Sequence, residues 1–208
     1  NASLLIIAGE YKAFQKSVKS FKDYFGGYPG DLPNAYDLLG TACGTDTSVE
    51  SGGCNGDGNE MVNTSKESYK VAQHLYIAKL VSRAYSGSSA SGTYDEKYIN
   101  SLFRLGYYSP MIHSSVSYAS GNQGSIATKH FIVYGAEPSD SGIPYDPLIT
   151  PVEARRIDSK IDDGFAFEGM VQIRYNDATS CNGTDGNQIG TYDIDTDTRI
   201  CNLLLYVD

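Results

Sequence analysis

Apolar side chains recur along the first 25 residues at spacings of 4, 3, 4, 3 and 4, on Ile7, Tyr11, Phe14, Val18, Phe21 and Phe25. That rhythm predicts one amphipathic helix over 4–25 whose apolar stripe faces a core. Lys12, Gln15, Lys16, Lys19, Lys22 and Asp23 fall off the stripe. Gly26-Gly27, with Pro29 just beyond, stops the helix. Its first turns, Leu4 to Ala8, are apolar nearly all round and are expected to face lipid or a neighbouring chain.

Residues 28–65 lose this periodicity and are dense in Gly, Asp, Asn, Ser and Thr, which predicts an irregular loop. A second helix is predicted over 66–85, with Tyr69, Ala72, Leu75, Tyr76, Leu80 and Val81 as its buried face. Residues 86–92 are a Ser/Gly loop, and a shorter helix is expected over 95–105 with Asp95 as its cap. Strand signals lie at Phe131–Tyr134, Met170–Tyr175 and Leu203–Val207. Pro151-Val152-Glu153 opens a helix that runs to about Lys160. The order is a long helix, a loop, further helices and a late antiparallel sheet, which is an α+β fold. No repeat or linker interrupts it, so one domain is expected over 1–208: the helix (1–27), a loop and helical region (28–130) and a sheet-rich region (131–208).

Composition narrows what such a fold can do. The 208 residues carry a net charge of −9, and the densest basic run, Arg155-Arg156, is isolated between acids, which argues against non-specific binding to DNA, RNA or anionic lipid and against nucleic acid as the principal partner. The aromatic residues are 17 Tyr and 7 Phe with no Trp, and Tyr suits half-wet contact surfaces. Four Cys form two close pairs, Cys43 with Cys54 and Cys181 with Cys201; no CxxC is present and the three His are scattered, so two local disulfides fit better than a zinc site. Disulfides place the chain in an oxidising compartment.

Three segments, taken together, resemble the type IV pilin and type II secretion pseudopilin family. The first is Phe21-Lys22-Asp23-Tyr24-Phe25-Gly26-Gly27-Tyr28-Pro29-Gly30-Asp31-Leu32-Pro33-Asn34-Ala35, similar to the end of the pilin N-terminal helix and the turn that follows it. The second is Cys54-Asn55-Gly56-Asp57-Gly58-Asn59-Glu60, then Glu67 and Gln73-His74-Leu75; it departs from the family pattern at Glu60, where Gly is usual. The third runs from Pro151-Val152-Glu153-Ala154 through Ile157-Asp158-Ser159-Lys160-Ile161-Asp162-Asp163-Gly164 to Gly169. The resemblance implies a pilin-like fold, with the long N-terminal helix packed on an antiparallel sheet beside a long αβ-loop and extra helices. It implies a structural filament subunit and no enzymatic activity. A peptidase site and roughly 20 apolar residues able to cross a bilayer would then precede Ser3. The partners implied are other pilin or pseudopilin subunits, reached through an assembly face of Leu4, Leu5, Ile7, Tyr11 and Phe14. The location implied is the inner membrane with the globular part in the periplasm, then a periplasmic or surface filament. The alternative function is a minor or tip subunit that binds through Tyr94, Tyr107, Tyr108 and Tyr118.

Candidate chemistry is sparse. Pro29-Gly30-Asp31 and Pro33-Asn34 read as a tight turn. Asp57, Asn59 and Glu60, with Asp46 and Glu50 in the same loop, could offer oxygens to Ca²⁺, though no EF-hand spacing is present. Asp193, Asp195 and Asp197 alternate, so in an extended strand their carboxylates would share a face. Some pseudopilins bind calcium in a C-terminal loop, and the resemblance makes this second triplet a calcium candidate. No other cofactor is implied. His74 reads as a hydrogen-bonded structural residue, and Asp162-Asp163-Gly164 as turn chemistry. Asp158, Asp162 and Asp163 show no nucleophile–base pairing, so no catalytic residue is assigned.

Overall fold

A computed structural model describes residues 2–44, 47, 53–85, 87, 99–100, 107–108, 112–116, 127–136, 146–173, 181–182 and 190–207. The long helix forms as the apolar rhythm predicts, as α1 (Ala2–Phe25), and stops at Gly26, whose N–H bonds to Lys22 O at 2.9 Å. Ile7, Tyr11, Phe14, Val18 and Phe21 are all buried, while Lys12, Lys16, Lys19 and Asp23 are exposed. The chain divides into two compact units: Asn1–Lys12 with Asn100–Ser109 and Ser115–Asp208, and Ala13–Ile99 with Pro110–Ser114.

The first unit is built on an antiparallel sheet. Its described strands are β2 (Tyr107–Tyr108), β4 (Ala127–Gly135), β5 (Val171–Ile173) and β6 (Leu203–Tyr206); short β1 (Ile99–Asn100) and β3 (Ile112–Val116) straddle the division. β4 lies between β2 and β6, and β5 takes the far side of β6. The register pairs Phe131 with Tyr206 and Tyr134 with Leu203, then Val171 with Leu205 and Ile173 with Leu203. All four β6 residues are buried, as are Val171, Gln172 and Ile173, so this strand pair is covered on both faces, with Gln172 held by donating to Gly169 O at 3.2 Å. The Tyr11 hydroxyl donates to Tyr206 O, fixing the first turns of α1 on β6. Helix α4 (Pro151–Ile161) begins with Pro151 and a capping box in which the Thr150 hydroxyl accepts from Glu153 N at 3.2 Å and Glu153 accepts from Thr150 N at 3.0 Å. The Cys181–Cys201 disulfide (Cα–Cα 5.3 Å) anchors the chain just before β6.

The second unit carries the remainder of α1, a short α2 (Ala35–Leu39), a 3₁₀ turn (Gly40–Ala42) and α3 (Ser65–Ile77). Helix lies inside the stretch predicted to be irregular, closed by the Cys43–Cys54 disulfide (Cα–Cα 5.1 Å). The α1 stripe does not rest on the sheet along its whole length: at Phe21 it meets α3, where the ring stacks on His74 with centroids 6.1 Å apart.

Two predicted helices are corrected. The helix predicted over 66–85 ends at Ile77 because Lys79 adopts φ 60. Lys79 N bonds to Tyr76 O at 2.9 Å and Leu80 N to Leu75 O at 2.9 Å, the paired bonds of a Schellman stop. Over 95–105, Ile99–Asn100 is strand; Asp95 and its neighbours lie outside the described residues.

Phe21→Ala is expected to cost about 3–5 kcal/mol in chemical denaturation, as loss of a fully buried aromatic ring. Lys79→Gly is expected to raise stability by up to about 1 kcal/mol, since glycine meets no Cβ penalty in the left-handed region. An unchanged midpoint for Lys79→Gly would show that the stop carries no strain.

Candidate functional site

The buried face of α3 is not the apolar face predicted for it. Glu67, Lys70, Val71, His74 and Leu75 are buried, whereas Tyr76 is 39% exposed and Tyr69 and Ala72 are only half-buried. The reason lies in what this face meets: loop backbone rich in N–H and C=O groups that need partners once buried. Glu67, Lys70 and His74 stand three and four residues apart, on one side of the helix.

Each of the three takes a different part of the loop. Glu67 accepts at one oxygen from Asp57 N (3.2 Å) and at the other from Asn63 N (3.2 Å), Thr64 N (3.1 Å) and the Thr64 hydroxyl (3.0 Å). The Thr64 contacts form the capping box that starts α3. Lys70 Nζ donates to Asn55 O at 2.8 Å. His74 accepts from Gly30 N at Nδ1 (3.0 Å), so its proton sits on Nε2, 3.1 Å from Cys54 O. Burial holds the ring neutral, with its pKa lowered to about 3 from 6.5.

Asp31 is the loop's own hub. Its carboxyl accepts from Gly58 N (2.9 Å) and Asn59 N (3.2 Å), while Leu32 O and Asp31 O accept from Gly56 N and Gly58 N at 3.0 Å each. The two segments run so close that a Cβ on Gly56 would lie 2.3 Å from Asp31 Cα, and one on Gly30 would lie 2.4 Å from Glu67 O. Only glycine fits at either place. Burial, then a hydrogen bond shared with Asp57, pushes the Asp31 carboxyl up from 3.8 to about 7.

One oxygen each from Asp31, Asp57 and Glu67 lies within 4.8 Å of the others, the separation a cation would need. Those carboxylates are already engaged by N–H donors, and Asp57 also accepts from Asn59 N (3.0 Å) and Asn59 Nδ2 (2.9 Å). The arrangement therefore acts as a capping device for the loop. Of the calcium candidates here, Asp57 and Asn59 bond to each other; Asp46 and Glu50 lie outside the described residues.

A second carboxyl group gathers at the end of α4. Asp158 is fully buried and accepts from the Tyr192 hydroxyl at 2.9 Å; burial is the main reason its pKa rises from 3.8 to about 7. Asp162 accepts from Met170 N and Asp163 from Phe165 N, so Asp162-Asp163-Gly164 is turn chemistry as the sequence predicts. The third triplet is corrected. Asp193, Asp195 and Asp197 are in no strand and do not gather; Asp193 instead closes a turn, accepting from Asp195 N (3.3 Å) and the Thr196 hydroxyl (2.7 Å).

The proposed assembly face divides. Leu4, Ile7, Tyr11 and Phe14 are buried within the chain, and of the five only Leu5, 57% exposed, is open to a partner. The apolar turn predicted to face outward instead packs largely against its own fold. Tyr94 and Tyr118 lie outside the described residues, and Tyr107–Tyr108 form β2 opposite Tyr134 and Gly135. Sequence reasoning missed Lys70 and Tyr192 and the hub role of Asp31. The Thr64-x-x-Glu67 capping pattern and the 67/70/74 spacing were the available signals.

No protein-family model, curated protein or solved structure matches the chain.

The shifted groups set a pH signature whose sign can be worked out. Asp31 and Asp158, raised from 3.8 to about 7, keep protons in the folded chain that the unfolded chain releases. Their stabilisation is complete below about pH 4 and is lost as pH rises to about 7. His74 acts oppositely: its contribution is complete above about pH 6.5 and is lost as pH falls to about 3. Asp31→Asn, which imitates the protonated carboxyl, is expected to make the slope of stability between about pH 4.5 and 6.5 more positive by up to about 1.4 kcal/mol per pH unit. Parallel wild-type and variant profiles from urea titrations would refute it.

Proposed function

We propose that the chain is the globular part of a filament subunit of the type IV pilin and type II secretion pseudopilin kind, structural and without catalysis. The observation that carries this reading is the convergence of the first two resembling segments on one clamp. Gly30 and Asp31 come from one segment; Cys54, Asp57, Gly58, Glu67 and His74 come from the other. Motif residues far apart in sequence thus serve a single structural purpose, which supports treating them as one inherited pattern. The two disulfides support an oxidising location, outside the cytoplasm.

In this reading α1 continues an apolar helix encoded upstream, which holds the subunit in the inner membrane with the globular part in the periplasm. Processing then frees it to join other subunits, and packing helix against helix replaces packing against lipid. Among the described residues no helix is long and apolar enough to cross a membrane.

Cells expressing the full gene provide the test. The mature protein is expected in the sheared surface or pseudopilus fraction, and in the inner membrane when the prepilin peptidase is deleted. Recovery only as a free periplasmic species in both backgrounds would overturn the proposal.

A further inference from the structure

A groove of about 730 Å³ opens in the first unit between the start of α1 and the outer side of α4. Leu4, Leu5, Val152 and Ile194 supply its apolar surface, and Arg155, Arg156 and Lys160 its charge. Leu5 is 57% and Ile194 52% exposed, and both arginines and Lys160 are exposed. Among the described residues neither guanidinium has an ion-pair partner. Lys12 adds a fourth cation nearby, its Nζ donating to Lys160 O at 3.0 Å. Four acids adjoin the lining residues in sequence: Glu153 is committed to the Thr150 capping box, Asp158 is buried and accepts from Tyr192, Asp193 accepts from the Thr196 hydroxyl, and Asp195 stands exposed beside Ile194.

This is the reverse of the chain's general character, which is acidic at −9. The lining is aliphatic and cationic, with Ser159 as its one neutral polar side chain and no aromatic ring. Protein partners more often meet surfaces enriched in aromatics. Aliphatic groups beside unpaired cations suit a ligand with one anion and a hydrocarbon chain, as Lys and Arg do at membrane interfaces. We propose that this groove docks an anionic phospholipid of the adjoining bilayer, with its phosphate on Arg155, Arg156 and Lys160 and its acyl chain against the exposed Leu5 and Ile194. The proposal rests on the filament-subunit reading only in placing the chain beside a membrane. Docked in this way, the globular part would lie against the leaflet before assembly.

Co-sedimentation of the 208-residue chain with vesicles tests it, comparing phosphatidylglycerol–phosphatidylcholine mixtures with phosphatidylcholine alone. Binding is expected to the anionic vesicles only. It should also peak near 0.1 M salt: at about 0.01 M the screening length near 30 Å lets the whole acidic chain be repelled, and at about 1 M even the groove is screened. Arg155→Glu/Arg156→Glu is expected to lower partitioning by about tenfold or more. The milder Arg155→Gln/Arg156→Gln pair should fall between, with unchanged melting temperatures confirming folding. Equal binding to both vesicle types, or none to either, overturns the proposal. So does concentration-dependent self-association, seen without vesicles and abolished by the same charge reversal, because it would make a second copy the occupant. A negative vesicle result alongside peptidase-dependent filament fractionation would remove the lipid site and leave the filament reading standing.

Discussion

The loop after α1 has to bury backbone without forming sheet, and that constraint organises the second unit. Peptide N–H and C=O groups taken from water need partners, and leaving one unmade costs more than a made bond gains. Residues 28–35 and 54–60 exchange only a few backbone bonds with each other, including Gly56 N to Leu32 O and Gly58 N to Asp31 O. Side chains supply the rest. Glu67 collects four donors, Lys70 reaches one carbonyl, His74 bridges a donor and an acceptor, and Asp31 takes two N–H groups. An all-apolar face on α3 would bury more hydrocarbon but would orphan these backbone groups.

The same logic recurs on a smaller scale in the first unit. There the backbone is mostly satisfied by strands, so the sheet can be buried on both faces and largely apolar. Polar side chains enter where the regular ladder ends. Tyr11 reaches Tyr206 O at the last residue of β6, and Asp162 takes Met170 N just before β5. The Tyr192 hydroxyl donates to one oxygen of Asp158 inside the core. The two units thus differ in how much of their backbone pairing is left to side chains.

This difference explains what could be read from the chain alone. Helix α1, helix α4, both disulfides and strands β4, β5 and β6 follow from periodicity, Pro placement, Cys spacing and β-rich runs, all of which are local. The buried face of α3 was misjudged because hydrophobicity favours Tyr76, which is exposed, over Glu67 and Lys70, which are buried. Their burial is set by loop backbone groups, on Asp57 for Glu67 and Asn55 for Lys70, and His74 meets Gly30 across 44 residues; a hydropathy pattern along the helix contains none of these contacts. Lys79 was equally hidden: the helix stops there by a backbone conformation that usually announces itself with Gly or Asn. At the groove, Arg155-Arg156 was legible as a basic pair, but Leu5 and Ile194 join it only through the fold.

His74 shows how such a clamp ties folding to protonation. Its Nδ1 accepts from Gly30 N, and a proton placed there would set two donors against each other. Acid therefore removes the Gly30 contact while leaving Nε2 free to donate to Cys54 O. Cys54 is also held covalently to Cys43, so that side of the loop stays tethered. Gly30 has no such tether, and the turn containing Gly30 and Asp31 becomes the segment expected to loosen first. Asp31 opposes that loosening, because below about pH 7 its carboxyl is already protonated and loses nothing further to acid. The raised carboxyl of the turn and the lowered imidazole that α3 sets against it shift stability in opposite directions over the same pH range. The loop can then keep its shape where either group alone would make it acid- or base-labile.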